Sequence, residues 1–239
     1  MKSAGNKIPF VFVIFLSALS LAAAFSYGLS PRRSLFIKPL FRIQTDQKLV
    51  ALTFDDGPSA ARTPALLDLL DRYNVKATFF MLGERIEEYP EIARQVFLRG
   101  HVIGSHSYSH VKLYLKPPRF VKEQLERTDA LIRQAGQEEV GLFRPPYSVK
   151  FITLPLLLCL MHKQLVAGTY DPSLQYLFPY NGRLVAEQVV ENIQPGAIIY
   201  LHDGREDNAK EFLMSVEMMI ARLKEKGYRF VSLDNKGRE

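Results

Sequence analysis

Tryptophan is absent from this 239-residue chain, and cysteine occurs once, at Cys159. A single thiol excludes any internal disulfide, and its place in the apolar run 154–161 predicts a buried, unreactive side chain. No repeat or low-complexity tract is present, so solenoids and disordered arrays drop out. No dense Lys/Arg run is interleaved with aromatics, so a nucleic-acid partner is not expected. Formal charge is +6, but Lys2 and Lys7 belong to the N-terminal segment. The remainder is mildly basic and suits an anionic surface or polymer. Apolar residues at 47% and charged residues at 23% are ordinary globular proportions, enough for one full core.

An uncharged, mostly apolar run from Ile8 to Leu29 follows those lysines, with Arg32, Arg33 and Lys38 beyond it. At ~1.5 Å per residue a helix of this length spans about 33 Å, enough to cross a bilayer. Ala22–Ala24 also supplies a small-residue cleavage site, so residues 1–29 read as a signal peptide or an uncleaved anchor. Basic residues on both flanks leave the choice open. Either way the rest is exported, with a membrane as partner if the segment is retained. Residues 30–47 read as a linker and 48–239 as the main folded domain.

From Lys48 onward, short apolar strands alternate with helical patterns. Strands are predicted at 49–54, 75–82, 101–105, 141–144, 164–169, 197–201 and 229–233. Helices are predicted after Thr63, which reads as an N-cap with Pro64 at N1, then from Pro90 to Gly100 and over 120–135. Further helices follow at 154–162, 183–193 and 209–226. Seven strands in strict alternation with about six helices imply right-handed crossovers and an α/β fold, a barrel-like or open sheet of parallel strands. Function then belongs at the strands' carboxyl ends. Asp55 and Asp56, His106, Arg144, Asp171 and His202 each follow a predicted strand.

Adjacent carboxylates disfavour joint ionisation unless a cation compensates. A metal would let one of Asp55 and Asp56 ligate while the other serves as a base; a turn with helix-capping acids is the plainer alternative. His106 and His110 stand four apart, and one helical turn between them would put both imidazoles on one side. With Asp56 they make a two-His, one-carboxylate set that leaves positions open for water and substrate; two unrelated histidines are the alternative. His202 suits a general acid with Asp203 as its orienter, or else a capping histidine. In Arg144-Pro-Pro-Tyr147 the prolines fix φ, so the segment holds a guanidinium and a backbone N–H in place, or simply ends a strand.

Thr53-Phe-Asp-Asp-Gly-Pro58, the His106/His110 pair, Arg144-Pro-Pro-Tyr147 and Leu201-His202-Asp203 occur in the order and spacing of the polysaccharide deacetylase family. The chain resembles this NodB-like group, carbohydrate esterase family 4, over about Lys48 to Leu233. The resemblance implies a distorted (β/α) barrel with fewer than eight repeats, and hydrolysis of the acetamide on N-acetylglucosamine-type units of peptidoglycan or chitin-like oligomers. By it, Asp55 is the general base, and Asp56, His106 and His110 hold one divalent metal: Zn²⁺ first, with Co²⁺, Ni²⁺ and Mn²⁺ also suited. Tyr147 donates its backbone N–H to the oxyanion, His202 protonates the leaving amine, and Arg144 orients the base. Tyr108, Tyr147 and Asp171 face the substrate.

The chain departs from the family pattern in 167–176, where an acidic, Trp-containing motif is usual. Asp171 alone remains as an acid, available to pair with Arg144, and the second carboxylate is replaced by Ser173 or Leu174. The sugar platform falls to Tyr108, Tyr170, Tyr176 or Phe178. Tyr200 replaces an aliphatic residue and Ser148 a glycine. Two other functions stand beside the deacetylase: a non-catalytic glycan-binding scaffold on the same fold, and an amidohydrolase of a non-sugar amide. No feature specifies an oligomeric state.

Overall fold

A computed structural model describes residues 12–20, 30, 33–34, 36–177 and 179–233. Its centre is β1 (Leu49–Asp55), buried along nearly its whole length because Val50, Leu52 and Phe54 face one helical layer while Ala51 and Thr53 face the interior of the curl. β2 (Thr78–Met81), β3 (Val102–Ser105), β4 (Leu142–Phe143) and β5 (Gln164–Leu165) extend the sheet on one side, and β6 (Ala197–His202) pairs on the other. β7 (Arg229–Phe230) lies beside the start of β1, below the point where β2 begins. Every pairing is parallel, so the expected seven strands are present and all carboxyl ends share one rim.

Residues 12–20 form α1. α2 (Thr63–Arg72), α3 (Gly83–Glu88), α4 (Pro90–Leu98), α5 (Pro118–Gln134), α6 (Thr153–Leu160), α7 (Gly182–Asn192) and α8 (Ala209–Glu225) are the crossovers. α3 was not foreseen. Tyr89 (φ −130°, ψ 59°) breaks it from α4, since a residue before proline avoids the α region.

β5 is two residues long where six were expected, because the curled sheet leaves a seam that the chain must cross. After Leu165 the backbone bridges Leu40 through Val166, then reaches β6 through a Tyr170–Ile199 bridge. Leu40 and Ile43 donate to the carbonyls of Leu165 and Gly196, each at 2.8 Å. Residues 40–43, within the stretch read as a linker, therefore fill the seam, and the packed unit extends upstream of Lys48.

Among the described residues no helix is long and apolar enough to cross a membrane. Ala22–Ala24 and most of the Ile8–Leu29 run lie outside them. Cys159 is exposed, contrary to expectation: it shares the outer face of α6 with Leu156 and Leu160, while Leu154 and Leu158 turn inward.

One buried ion pair ties α5 to the segment entering β5. Lys163 Nζ lies 2.8 Å from an Asp129 oxygen, with both side chains almost fully buried, and it also donates to the Val140 carbonyl. Asp129→Ala should destabilise the fold by about 3–5 kcal/mol, because it strands a buried ammonium. Urea unfolding checks this, and Asp129→Leu with Lys163→Met should recover most of the loss.

Candidate active site

Alternation along β1 would send Asp55 and Asp56 to opposite faces. Asp56 instead takes a left-handed conformation (φ 71°), which swings its carboxylate to the cavity that Asp55 also lines. Ser107, His110, Tyr147 and Ser148 have positive φ as well. These four and Asp56 are half of the ten such non-glycine residues described, and backbone strain of this kind concentrates where side chains must be aimed. Ser148 sits at the φ that a glycine would adopt without cost.

His106 and His110 are brought together by this strain and not by a helical turn, since residues 106–110 are irregular. Their Nε2 atoms lie 3.3 and 3.2 Å from Asp56 Oδ1, and the three ligand atoms fall within 4.8 Å of one another. His106 Nδ1 lies 2.8 Å from the Arg144 carbonyl. That acceptor puts the proton on Nδ1, so Nε2 of the neutral ring turns a lone pair toward Asp56. Asp56 Oδ1 is buried without a hydrogen-bond partner. Burial alone would raise the Asp56 carboxyl; imidazoles protonated on the nitrogens that face it would instead hold it far below the usual range. A divalent cation fits this donor set, and the group could hold one.

Asp55 Oδ1 accepts from Arg144 Nη1 at 2.6 Å, and the same nitrogen donates to Thr53 Oγ1 at 2.8 Å. The expected Arg144–Asp171 pair is not formed. The guanidinium lies between the rings of Phe80 (4.1 Å) and Tyr200 (5.1 Å), a cation–π arrangement. Tyr200 reaches that place because Gly168 leaves room for it: a Cβ there would come within 1.8 Å of the ring.

Asp203 does not orient His202. It accepts from Thr63 Oγ1 at 2.6 Å, and burial pushes its carboxyl up to about 7. It packs under Gly57, where a Cβ would lie 2.5 Å from Asp203 Oδ1, so it braces the Asp55–Pro58 turn from below. Thr63 heads α2 without capping it, its hydroxyl donating to Asp203 and accepting from the Ser59 N–H. The partner of His202 Nδ1 is Gln175 Oε1, at 2.9 Å. Burial lowers the His202 pKa, against the pull of Asp55 and Asp56.

Asp55, Asp56, His106, His110 and His202 line one cavity of about 480 Å³, whose wall also includes Tyr147, Asp171, Tyr176, Tyr200 and Arg205. Tyr147 is half-exposed, with its ring 4.7 Å from that of His110. Tyr176 is half-exposed and donates to Asp171 Oδ2 at 3.0 Å. Tyr108 does not line the cavity: its hydroxyl donates to Glu87 under the Arg127 guanidinium. Tyr170 donates to the Gln188 carbonyl, and Phe178 lies outside the described residues. Gln175 and Arg205 escaped the sequence reading. Gln175 has only one signal, its four-residue spacing from Asp171, and Arg205 has only its place three residues after His202.

A family model described as polysaccharide deacetylase matches residues 42–152. The chain is 34% identical over 194 residues to the peptidoglycan-N-acetylglucosamine deacetylase PgdA of Listeria monocytogenes, covering 78% of this chain and 38% of that protein's length. It is 34% identical over 164 residues to a chitooligosaccharide deacetylase of Azorhizobium caulinodans, covering 68% of this chain and 77% of the relative. Among solved structures, the Bc1960 peptidoglycan N-acetylglucosamine deacetylase superposes with a TM-score of 0.76 at 32% identity, over 81% of this chain and 90% of that one.

The donor set generates a test independent of turnover. Zn²⁺ at about 100 times its Kd should stabilise the folded chain by about 2.7 kcal/mol. Thermal unfolding with and without the ion checks this, and His106→Ala or Asp56→Ala should abolish the shift.

Proposed function

This chain belongs to the polysaccharide deacetylase family, and we propose that it removes acetyl groups from N-acetylglucosamine units of an envelope or chitin-like glycan outside the cytoplasm. The observation that carries this reading is one cavity lined by a possible metal group (Asp56, His106, His110), an arginine-held carboxylate (Asp55) and a histidine (His202). The glycan class follows the activities that name its relatives. The exported location follows the apolar N-terminal run, as cleaved signal or retained anchor.

In this reading Asp56, His106 and His110 hold one divalent cation, Zn²⁺ first. When bound, it supplies Lewis-acid polarisation of the acetamide carbonyl and of water. Asp55 takes the proton from the attacking water, and Arg144 keeps that carboxylate aimed by a 2.6 Å hydrogen bond. As the new C–O bond forms, the carbonyl oxygen gains charge, and the Tyr147 backbone N–H donates to it; one such donor is typically worth about 10²–10³ in rate. The C–N bond then breaks, and His202 Nε2 gives its proton to the departing nitrogen. Acetate and a free amine are the products. Tyr147 and Tyr176, both half-exposed at the cavity, offer ring faces to a sugar in place of the missing tryptophan.

Metal-free protein should release no acetate from N-acetylglucosamine oligomers or peptidoglycan, and added Zn²⁺ should start the release. Asp55→Asn should lower kcat by about 10²–10⁴ while binding metal as before. Equal metal loss in Asp55→Asn and Asp56→Asn would contradict the division of roles. Turnover of small amides alone would move the substrate away from glycans, and stoichiometric metal without any turnover would favour a scaffold.

A further inference from the structure

We propose that Gln175 is the positioning residue of His202: it fixes a proton on Nδ1, leaves Nε2 to face the cavity, and is itself held by Asp171. The inference rests on the reading of His202 as the acid and adds to it the residue that sets the ring's tautomer and orientation.

Gln175 is buried, in the short 3₁₀ turn Ser173–Tyr176 that forms one wall of the cavity. Its backbone is pinned at both ends: the N–H donates to the Pro172 carbonyl at 2.9 Å, and the carbonyl accepts from Arg205 Nη1 at 3.2 Å. A buried primary amide has two distinguishable ends, a donor NH₂ and an acceptor oxygen. The Nε2 end donates to Asp171 Oδ1 and lies 3.3 Å from the Tyr200 carbonyl. Both are acceptors, so turning the amide over would set its oxygen against two other oxygens. Oε1 must therefore face His202 Nδ1, which it meets at 2.9 Å. An oxygen there can only accept, so Nδ1 must carry hydrogen in both charge states of the ring. Nε2 is left as the one nitrogen that can gain or lose a proton.

Asp171 is thus tied to His202 through the amide. Its second oxygen accepts from Tyr176, so the carboxylate is held from the cavity side as well. Arg144 takes no part, being bonded to Asp55 and Thr53. The amide supplies orientation without adding a negative charge beside the imidazole.

The direct test is the tautomer. Nitrogen-15 NMR of the full chain, with the His202 signals identified by their loss in His202→Ala, should report Nδ1–H for the neutral ring. Gln175→Leu should convert it to a mixture or to Nε2–H. Neutral Nε2–H in the wild-type chain would overturn the proposal whatever the enzyme's substrate.

The kinetic test compares two zinc-loaded reactions. Breaking an acetamide needs a proton on the departing nitrogen, whereas 4-nitrophenyl acetate expels a phenolate that needs none. Gln175→Leu should lower kcat on N-acetylglucosamine oligomers by about 10–100-fold, the usual range for a lost partner behind a functional histidine. KM and ester hydrolysis should change by less than about twofold. Equal losses on amide and ester would make Gln175 a wall residue only and sink the proposal. If Gln175→Leu does not fold, the tautomer of the wild-type ring decides alone. Wild-type silence on every glycan would count against the proposed function, while the NMR result would still stand or fall separately.

Discussion

Three candidate ligand atoms converge at the rim of this barrel, and much of the surrounding structure keeps them there. The Nε2 atoms of His106 and His110 both sit within hydrogen-bonding range of Asp56 Oδ1, with His106 locked into the tautomer that presents its lone pair. Such an arrangement is repulsive until a cation enters or protons bind. The fold bears that cost through left-handed backbone at Asp56, Ser107 and His110, and through the buried Thr63–Asp203 brace under the β1 turn.

The architecture explains why the cost is local. All strands run parallel, so their carboxyl ends deliver Asp55, His106, Arg144 and His202 to one rim without special loops. Only the last ångström of aim requires strain. The seam between β5 and β6 is a second consequence of a short barrel. It admits residues 40–43 and brings the Tyr170–Tyr176 segment against β6, where Gln175 meets His202.

The fold was legible because alternation of short apolar strands with amphipathic helices has few parallel solutions. The residues gathered at the rim were legible for the same reason: Asp55, Asp56, His106, Arg144 and His202 each follow a strand. What stayed hidden depended on contacts that spacing does not encode. His106 and His110 meet through positive-φ residues and not through a helical turn. Asp203 is adjacent to His202 in sequence yet points beneath the site, as side-chain alternation along a strand demands. Arg144 turned from Asp171 because Tyr200 fills the space over Gly168, a complementarity between residues 32 positions apart. Gln175 carries no charge and no motif, and only three-dimensional packing sets it against a histidine.

Asp56, His106 and His110 are proposed to hold one divalent ion together. X-ray absorption at the zinc edge of the loaded protein tests it most directly. The expected spectrum has a first shell of nitrogen and oxygen at about 2.0–2.2 Å, with outer-shell scattering from two imidazoles that falls to one in His110→Ala. A shell without imidazole scattering, or one unchanged by that substitution, would contradict it.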